Sequence, residues 1–217
     1  MDDLLPYAGH FARPVGDVRR DLESFSTLLK KWNAVQNLVS RETEATLWDR
    51  HILDSLQVLP LLRPGDTRFL DVGSGGGLPA LPLAIALKGG PAHYQLVEPI
   101  SKKVAFLRQA IRELGLNAAV HGGRSDSFDS RETTADGTHA GFDVITSRAL
   151  AALPDLFGLI HPFFGPETRA ILHKGRDYAR EVEESRLAWD FDVLINRSAT
   201  EAAGALLQVS NLRRKNS

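Results

Sequence analysis

The stretch Asp71-Val-Gly73-Ser-Gly75-Gly76-Gly77-Leu78-Pro79 constrains the fold more than any other part of the chain. It follows a short apolar run, Arg68-Phe-Leu-Asp-Val72, and leads into a second, Pro79 to Leu87. A simple structural turn needs one glycine, and this loop holds four. Glycine lets the backbone turn tightly and lets a ligand approach the main chain closely. A strand, a glycine loop and a helix in that order mark the crevice where an open α/β sheet binds its ligand.

The rest of the chain agrees with such a sheet. Residues 1–65 read as a helical extension. From Asp17, a plausible N-cap, Val18, Leu22, Phe25, Leu28, Leu29 and Trp32 fall on one helical face. A second helix is predicted from Thr43 through Leu59, and Pro64-Gly65-Asp66 reads as a turn. Residues 66–217 then alternate short apolar strands with helices. Strands are predicted at Arg68–Val72, His93–Glu98, Ala118–His121, Phe142–Thr146, Arg169–His173, Phe191–Ile195 and Leu206–Val209. Helices fall between them, one capped by Ser101 and closed by Gly115, one over Leu153–Phe163 and one over Tyr178–Leu187. The predicted fold is α/β: a mostly parallel, doubly wound sheet ending in an antiparallel hairpin around Ser198–Gly204. The polar stretch Ser125 to Gly141 shows no crossover helix.

Composition removes several function classes. The 217 residues are 43% hydrophobic and 24% charged, an ordinary globular balance, and include no cysteine. Disulfides, a cysteine nucleophile and thiolate metal sites are therefore excluded. The seven histidines show no metal-ligand spacing, so no metal is expected. No apolar run approaches the roughly 18 residues of a membrane span. The acidic start lacks the pattern of a signal peptide, and a cytoplasmic monomer is the expectation. The net charge of −1 confines any RNA affinity to local patches. Arg19-Arg20, Lys30-Lys31, Lys102-Lys103 and Arg213-Arg214-Lys215 are candidates, although each taken singly reads better as a solvated face or tail.

Glu98 ends the second strand, where a carboxylate accepts hydrogen bonds from both ribose hydroxyls of an adenosine cofactor. Two cofactors compete for this geometry. Gly75-Gly-Gly77-Leu-Pro-Ala80 fits the dinucleotide fingerprint formally, with an acid some 20 residues on. A pyrophosphate, however, needs amides at the helix N-terminus, where Pro79 supplies none, and Asp71 adds negative charge there. S-adenosylmethionine has no phosphate and carries an ammonium and a sulfonium, so the acidic strand ends favour it. Asp71 reads equally as a cofactor-side carboxylate or as an acceptor for the loop's own amides.

Five further strings sit in order around the loop. They are Lys31-Trp-Asn33, Asn37-Leu38, His51-Ile-Leu-Asp-Ser55, Lys103-Val-Ala-Phe-Leu-Arg108 and Thr146-Ser-Arg148-Ala149. Over roughly residues 20–175 the chain resembles the bacterial small-subunit (16S) ribosomal RNA guanine-N7 methyltransferases, the glucose-inhibited division protein B family. The resemblance implies a Rossmann-like methyltransferase fold, S-adenosyl-L-methionine as cofactor, and small-subunit ribosomal RNA or the assembling subunit as partner. It implies donor contacts at Gly73 and Leu78, adenine contacts at Ser125 and Asp126, and a further cofactor contact at Arg148. Gly75 and Glu98 join these from the loop and strand reading. The chain departs from the family at three places: Glu98 where Asp is commoner, Ala80 where Gly is usual, and Ser125-Asp126 where Ala-Glu is frequent. The tail after about residue 180 matches weakly.

Guanine N7 has a free lone pair and no proton, so its methylation needs placement rather than a general base. No side chain is assigned as catalytic. Arg50 and His51, with Asp54 beside them, could border a substrate cleft, although His51 among Ile52 and Leu56 reads first as a packed histidine. Lys174 after strand five suits a phosphate contact or a simple turn. Three other functions use parts of the same pattern: methylation of a small molecule or protein, an NAD-dependent dehydrogenase, and a non-catalytic RNA-binding module. The motifs within the helical extension oppose the first, Pro79 and Asp71 the second, and the intact cofactor loop the third.

Overall fold

A computed structural model describes residues 3–128 and 141–215. Seven strands form one sheet: β1 (Arg68–Val72), β2 (His93–Val97), β3 (Ala118–His121), β4 (Val144–Arg148), β5 (Arg169–Lys174), β6 (Trp189–Arg197) and β7 (Ala205–Arg214). Their spatial order is β3-β2-β1-β4-β5-β7-β6. The first five are parallel, and β7 runs antiparallel to both β5 and β6. The predicted doubly wound sheet with a terminal hairpin is therefore the observed one. Chain order reverses between β1 and β4, which makes their C-terminal ends the switch point where such sheets bind ligands.

Register brings the chemically active ends together. Asp71 pairs with Thr146, Arg148 with His173, and Lys174 with Ala205. The connecting helices are α3 (Ala80–Ala86), α4 (Ser101–Leu114), α5 (Leu153–Ile160) and α6 (Tyr178–Ser185). Helix α3 is buried along its whole length, as its unbroken apolar sequence requires. Helix α4 stops at Gly115, which takes the left-handed conformation at φ 58°.

Ahead of the sheet lie α1 (Val15–Asn33) and a π-type turn, Trp48–Leu53, that runs into α2 (Asp54–Leu56). The apolar face of α1 is buried at Val18, Leu22, Phe25, Leu28 and Leu29. It packs on α3 and α4, with Trp32 and Phe25 against Phe106 at ring separations of 5.8 and 6.4 Å. Val18, Phe25, Ile52 and Leu56 thus share one core with Leu81, Ile85 and Leu107. A second core, around Leu70, Ile145, Phe157 and Leu207, fills the other face of the sheet.

Three local expectations are corrected. Helix α1 starts at Val15 with Pro14 at the cap, which leaves Asp17 in the first turn, paired with Arg20 at 2.9 Å. Regular helix does not begin at Thr43. Arg41–Thr43 is a single 3-10 turn, and the Thr43 hydroxyl is taken up by Ser40 and His51. Ser101 makes no capping bond; Ile100 holds the cap position, and its amide donates to Glu98 at 2.9 Å. Of the polar stretch 125–141, Ser125–Ser127 forms a 3-10 turn, and residues 129–140 lie outside the described residues.

One buried ion pair anchors the sheet from below. Arg169 is 2% exposed at the start of β5, and its guanidinium donates to the Leu61 carbonyl at 3.0 Å and to Asp66. Removing one member of such a pair strands the other charge. Asp66→Ala should cost about 3 kcal/mol in urea unfolding, and a loss under about 1 kcal/mol would contradict this role.

Candidate active site

The glycine loop is held from three sides. The amides of Gly73 and Ser74 donate to the Val97 carbonyl at 2.9 and 3.1 Å, tying the loop to β2. Gly73, Gly75 and Gly77 have φ of 74°, 53° and 76°, a region other residues enter only with strain. A side chain at Gly73 would start 2.6 Å from Leu150, and one at Gly76 would start 3.3 Å from the Leu38 carbonyl. The loop is therefore covered by the β4–α5 connection on one side and by the segment after α1 on the other. Asn33 fixes that segment: its Oδ1 accepts the amides of Leu38 and Val39, both at 3.0 Å.

Glu98 is 3% exposed, and its two oxygens accept the amides of Gly75 and Ile100 at 2.8 and 2.9 Å. Each carboxylate oxygen keeps a second lone pair. Asp71 is 1% exposed. One of its oxygens accepts the Thr146 hydroxyl at 2.6 Å, and the other has no partner. Burial pushes its carboxyl up to about 7, against the Thr146 hydrogen bond and the nearby Ser74 hydroxyl, which donates to the Asp71 carbonyl, and with the help of the Glu98 charge.

Two cavities meet at this loop. The larger, about 530 Å³, is walled by Gly73, Gly75 and Leu78 on one side and by Arg50, His51, Arg148 and Lys174 on the other. The smaller, about 150 Å³, is an apolar slot among Val72, Gly73, Val97, Pro99, Ser125 and Leu150. Gly73 lines both. The slot takes in Ser125 but not Asp126, because the 3-10 turn directs Ser125 inward and leaves Asp126 exposed beside Arg124 at 3.4 Å.

The polar residues of the large cleft are tied to one another. Arg148 donates to Asp54 at 2.9 Å, to the Arg50 carbonyl at 3.3 Å and to His51 Nδ1. A guanidinium only donates, so Nδ1 of His51 is an acceptor and its proton sits on Nε2, directed at Thr43 Oγ1 at 2.8 Å. Burial, then the Arg148 charge, lowers the His51 imidazole to about 4, so it is neutral at physiological pH. Lys174 donates to the Ala151 carbonyl at 2.9 Å and pairs with Glu181, which removes it from the phosphate contact its position suggested. Arg50 pairs with Glu201.

Sequence reasoning noted Asp54 in passing and did not see Thr200, Gln57 or His173. Asp54 accepts from Thr200 Oγ1, from Gln57 at 3.0 Å and from Arg148, and its carbonyl faces His173 Nε2 at 3.1 Å. The signal for Asp54 was its place in His-Ile-Leu-Asp-Ser. Thr200 lies in a turn with no pattern of its own.

A helical extension closing a cleft over the glycine loop can now be set beside known proteins. The family model for GidB, rRNA small subunit methyltransferase G, matches residues 18–209. The chain belongs to this family. The ribosomal RNA small subunit methyltransferase G of Brucella ovis is 44% identical over 196 residues, 89% of this chain and 88% of that protein. The Brucella suis biovar 1 protein matches to the same extent. Among solved structures, an O-methyltransferase from Bacillus cereus in complex with SAH superposes with a TM-score of 0.56 at 17% identity, over 92% of this chain and 93% of that one. TomG from Streptomyces achromogenes, in complex with SAM, gives 0.55 at 15% identity over 86% and 89%. These likenesses concern the fold, and the methyltransferase architecture expected from the sequence is the one observed.

In this family member Asp71 carries a pH signature. Its carboxyl titrates near 3.8 when unfolded and near 7 when folded. A raised folded value contributes stability that is complete below the unfolded value and is lost as pH rises through the folded one. The wild-type melting temperature relative to that of Asp71→Asn should therefore fall from pH 5 to about 7 and then level off. A difference independent of pH would contradict the buried, proton-holding carboxyl.

Proposed function

We propose that this chain transfers a methyl group from S-adenosylmethionine to N7 of a guanine in small-subunit (16S) ribosomal RNA. The observation that carries this reading is that the two cavities meet at Gly73. A donor seated in the apolar slot and along the glycine loop presents its reactive end to the polar cleft that the helical extension closes. Membership of the family supplies the acceptor class, and its known relatives carry the name of a ribosomal RNA methyltransferase.

The residues fit the donor. The slot among Val97, Pro99 and Leu150 suits a flat ring, with Ser125 at its edge. Glu98 has lone pairs free for the ribose, and Gly73, Gly75 and Leu78 leave the main chain open. The Glu98 carboxylate, which accepts the Gly75 amide beside the loop, favours a cationic ligand over a pyrophosphate. When bound, S-adenosylmethionine supplies an electrophilic methyl group on sulfur.

The chain's own work is placement. The cleft must hold N7 about 3 Å from the methyl carbon and in line with the bond that breaks. His51 does not act as a base, because Arg148 occupies Nδ1 and the Nε2 proton is directed at Thr43. As N7 is alkylated, positive charge moves onto the base. Arg50, Arg148 and Lys174 already face carboxylates, so this wall opposes the charge little. Arg148 serves as a wall of the cleft fixed by Asp54, with its remaining N–H groups free for ligand.

Residues 1–65 act as the RNA-facing extension and 66–217 as the donor-binding unit. The N7 edge of guanine is shut in the deep groove of A-form RNA, so the target sits in a loop or an open junction. No helix among the described residues is long and apolar enough to cross a membrane; a monomer working in the cytoplasm on the assembling subunit fits the reading. The test is transfer of labelled methyl onto unmodified small-subunit particles and onto naked RNA, followed by nucleoside analysis. The expected product is 7-methylguanosine, formed at saturating donor with no titration near neutral pH. A methyl group on a ribose hydroxyl or on protein would contradict the proposal.

A further inference from the structure

The charges that line the large cleft do not cancel. Its carboxylates are Asp54, Glu181 and Glu201, and each is committed to a cation: Arg148, Lys174 and Arg50 in turn. Both histidines of the cleft are held toward the neutral form by burial. A fourth cation, Lys103, also lines the cleft. It is half-buried in the first turn of α4, and its ammonium has no hydrogen bond or ion pair among the described residues. Its neighbour Lys102 is exposed and lies outside the cleft lining. The pair that reads from sequence as a solvated face is therefore split, with one ammonium directed to solvent and one to the cleft.

An unpaired ammonium in a concave polar site takes an oxyanion. Two sources are at hand if the proposed function holds: the amino-acid carboxylate of the donor and a phosphodiester of the RNA. The donor does not balance Lys103. Its carboxylate travels with its own ammonium, and its sulfonium adds a further positive charge. A phosphodiester brings one negative charge with no companion. We propose that Lys103 is a phosphate-binding subsite inside the cleft, holding the RNA backbone at the nucleotide that is methylated. This rests on RNA being the acceptor, and it assigns one lysine to a contact made within the cleft rather than on the outer surface.

The test reads binding and does not need turnover. Lys103→Gln removes the charge from a half-buried side chain without opening the core, and Lys103→Arg restores it. Binding of naked small-subunit ribosomal RNA is measured against salt. Each phosphate neutralised contributes roughly 0.7–0.9 to the slope of log K against log salt. Lys103→Gln should lower the slope by about one such unit and weaken binding about tenfold at low salt, and Lys103→Arg should recover both. Calorimetry with S-adenosylhomocysteine and with methylthioadenosine, which lacks the carboxylate, should give wild-type affinities in Lys103→Gln. An unchanged RNA slope overturns the proposal. If Lys103→Gln then weakens S-adenosylhomocysteine but not methylthioadenosine, the oxyanion is the donor's carboxylate. A wild-type protein that forms no 7-methylguanosine yet shows the Lys103 slope change would defeat the proposed reaction and leave this subsite standing.

Discussion

The carboxylate of Asp54 binds three parts of the molecule that are distant in the chain. It sits at the start of α2, on the helical extension, yet it accepts from Arg148 at the end of β4 and from Thr200 in the β6–β7 turn. Its own carbonyl meets His173 at the end of β5. Gln57, one turn on, donates to Thr200 and accepts the Ala199 amide at 2.6 Å. Apolar packing of α1 on α3 and α4 holds the extension against the sheet. The Asp54 contacts, together with the Arg50–Glu201 pair, tie the end of the extension to the strand ends and build the far wall of the cleft.

That wall is costly to build. Arg148, His51 and His173 are largely withdrawn from water around Asp54, and burial pushes each of the three toward its neutral form. Mutual hydrogen bonding offsets the penalty. Arg148 gives its protons to Asp54, to His51 and to a carbonyl, and His51 passes the chain of hydrogen bonds on to Thr43 and Ser40. The result is a rigid surface with little net charge, which suits a reaction whose base becomes cationic. The loop side is the reverse. There Glu98 is held by backbone amides alone and forms no ion pair among the described residues, so a carboxylate without a cation lies beside the glycine loop, next to a buried Asp71 that keeps one oxygen unpartnered.

Much of this was legible in the chain. Strand and helix positions followed from apolar periodicity because the sheet buries both faces, and the hairpin followed from a short turn between two late strands. The glycine loop announced the ligand crevice, since positive φ at Gly73, Gly75 and Gly77 leaves few substitutes. What escaped was set by long-range contact. Asp54 reads from sequence only as a neighbour of Arg50 and His51 at a cleft border, and its role as the acceptor that joins extension to sheet shows only when Arg148, 94 residues away, is placed beside it. Lys174 reads as a free cation until Glu181 folds back onto it from α6. Asp126 reads as an adenine contact until the 3-10 turn directs it to solvent. The short irregular turns, 41–43 and 125–127, were mis-assigned or left blank because a single turn is too short to show a period.

If the cleft depends on the clamp between extension and sheet, Asp54 and Arg148 must act as one unit. A double-mutant cycle on Asp54→Asn and Arg148→Gln tests this, read in the second-order rate of methyl transfer to unmodified small-subunit particles. Residues that share one hydrogen-bonded charge pair show coupling of about 0.5–3 kcal/mol, whereas independent sites add to within about 0.5 kcal/mol. The account predicts that the double variant is little worse than either single one, with coupling toward the upper end of that range. Additive losses would contradict it, since the wall of the cleft would then not hang on this contact.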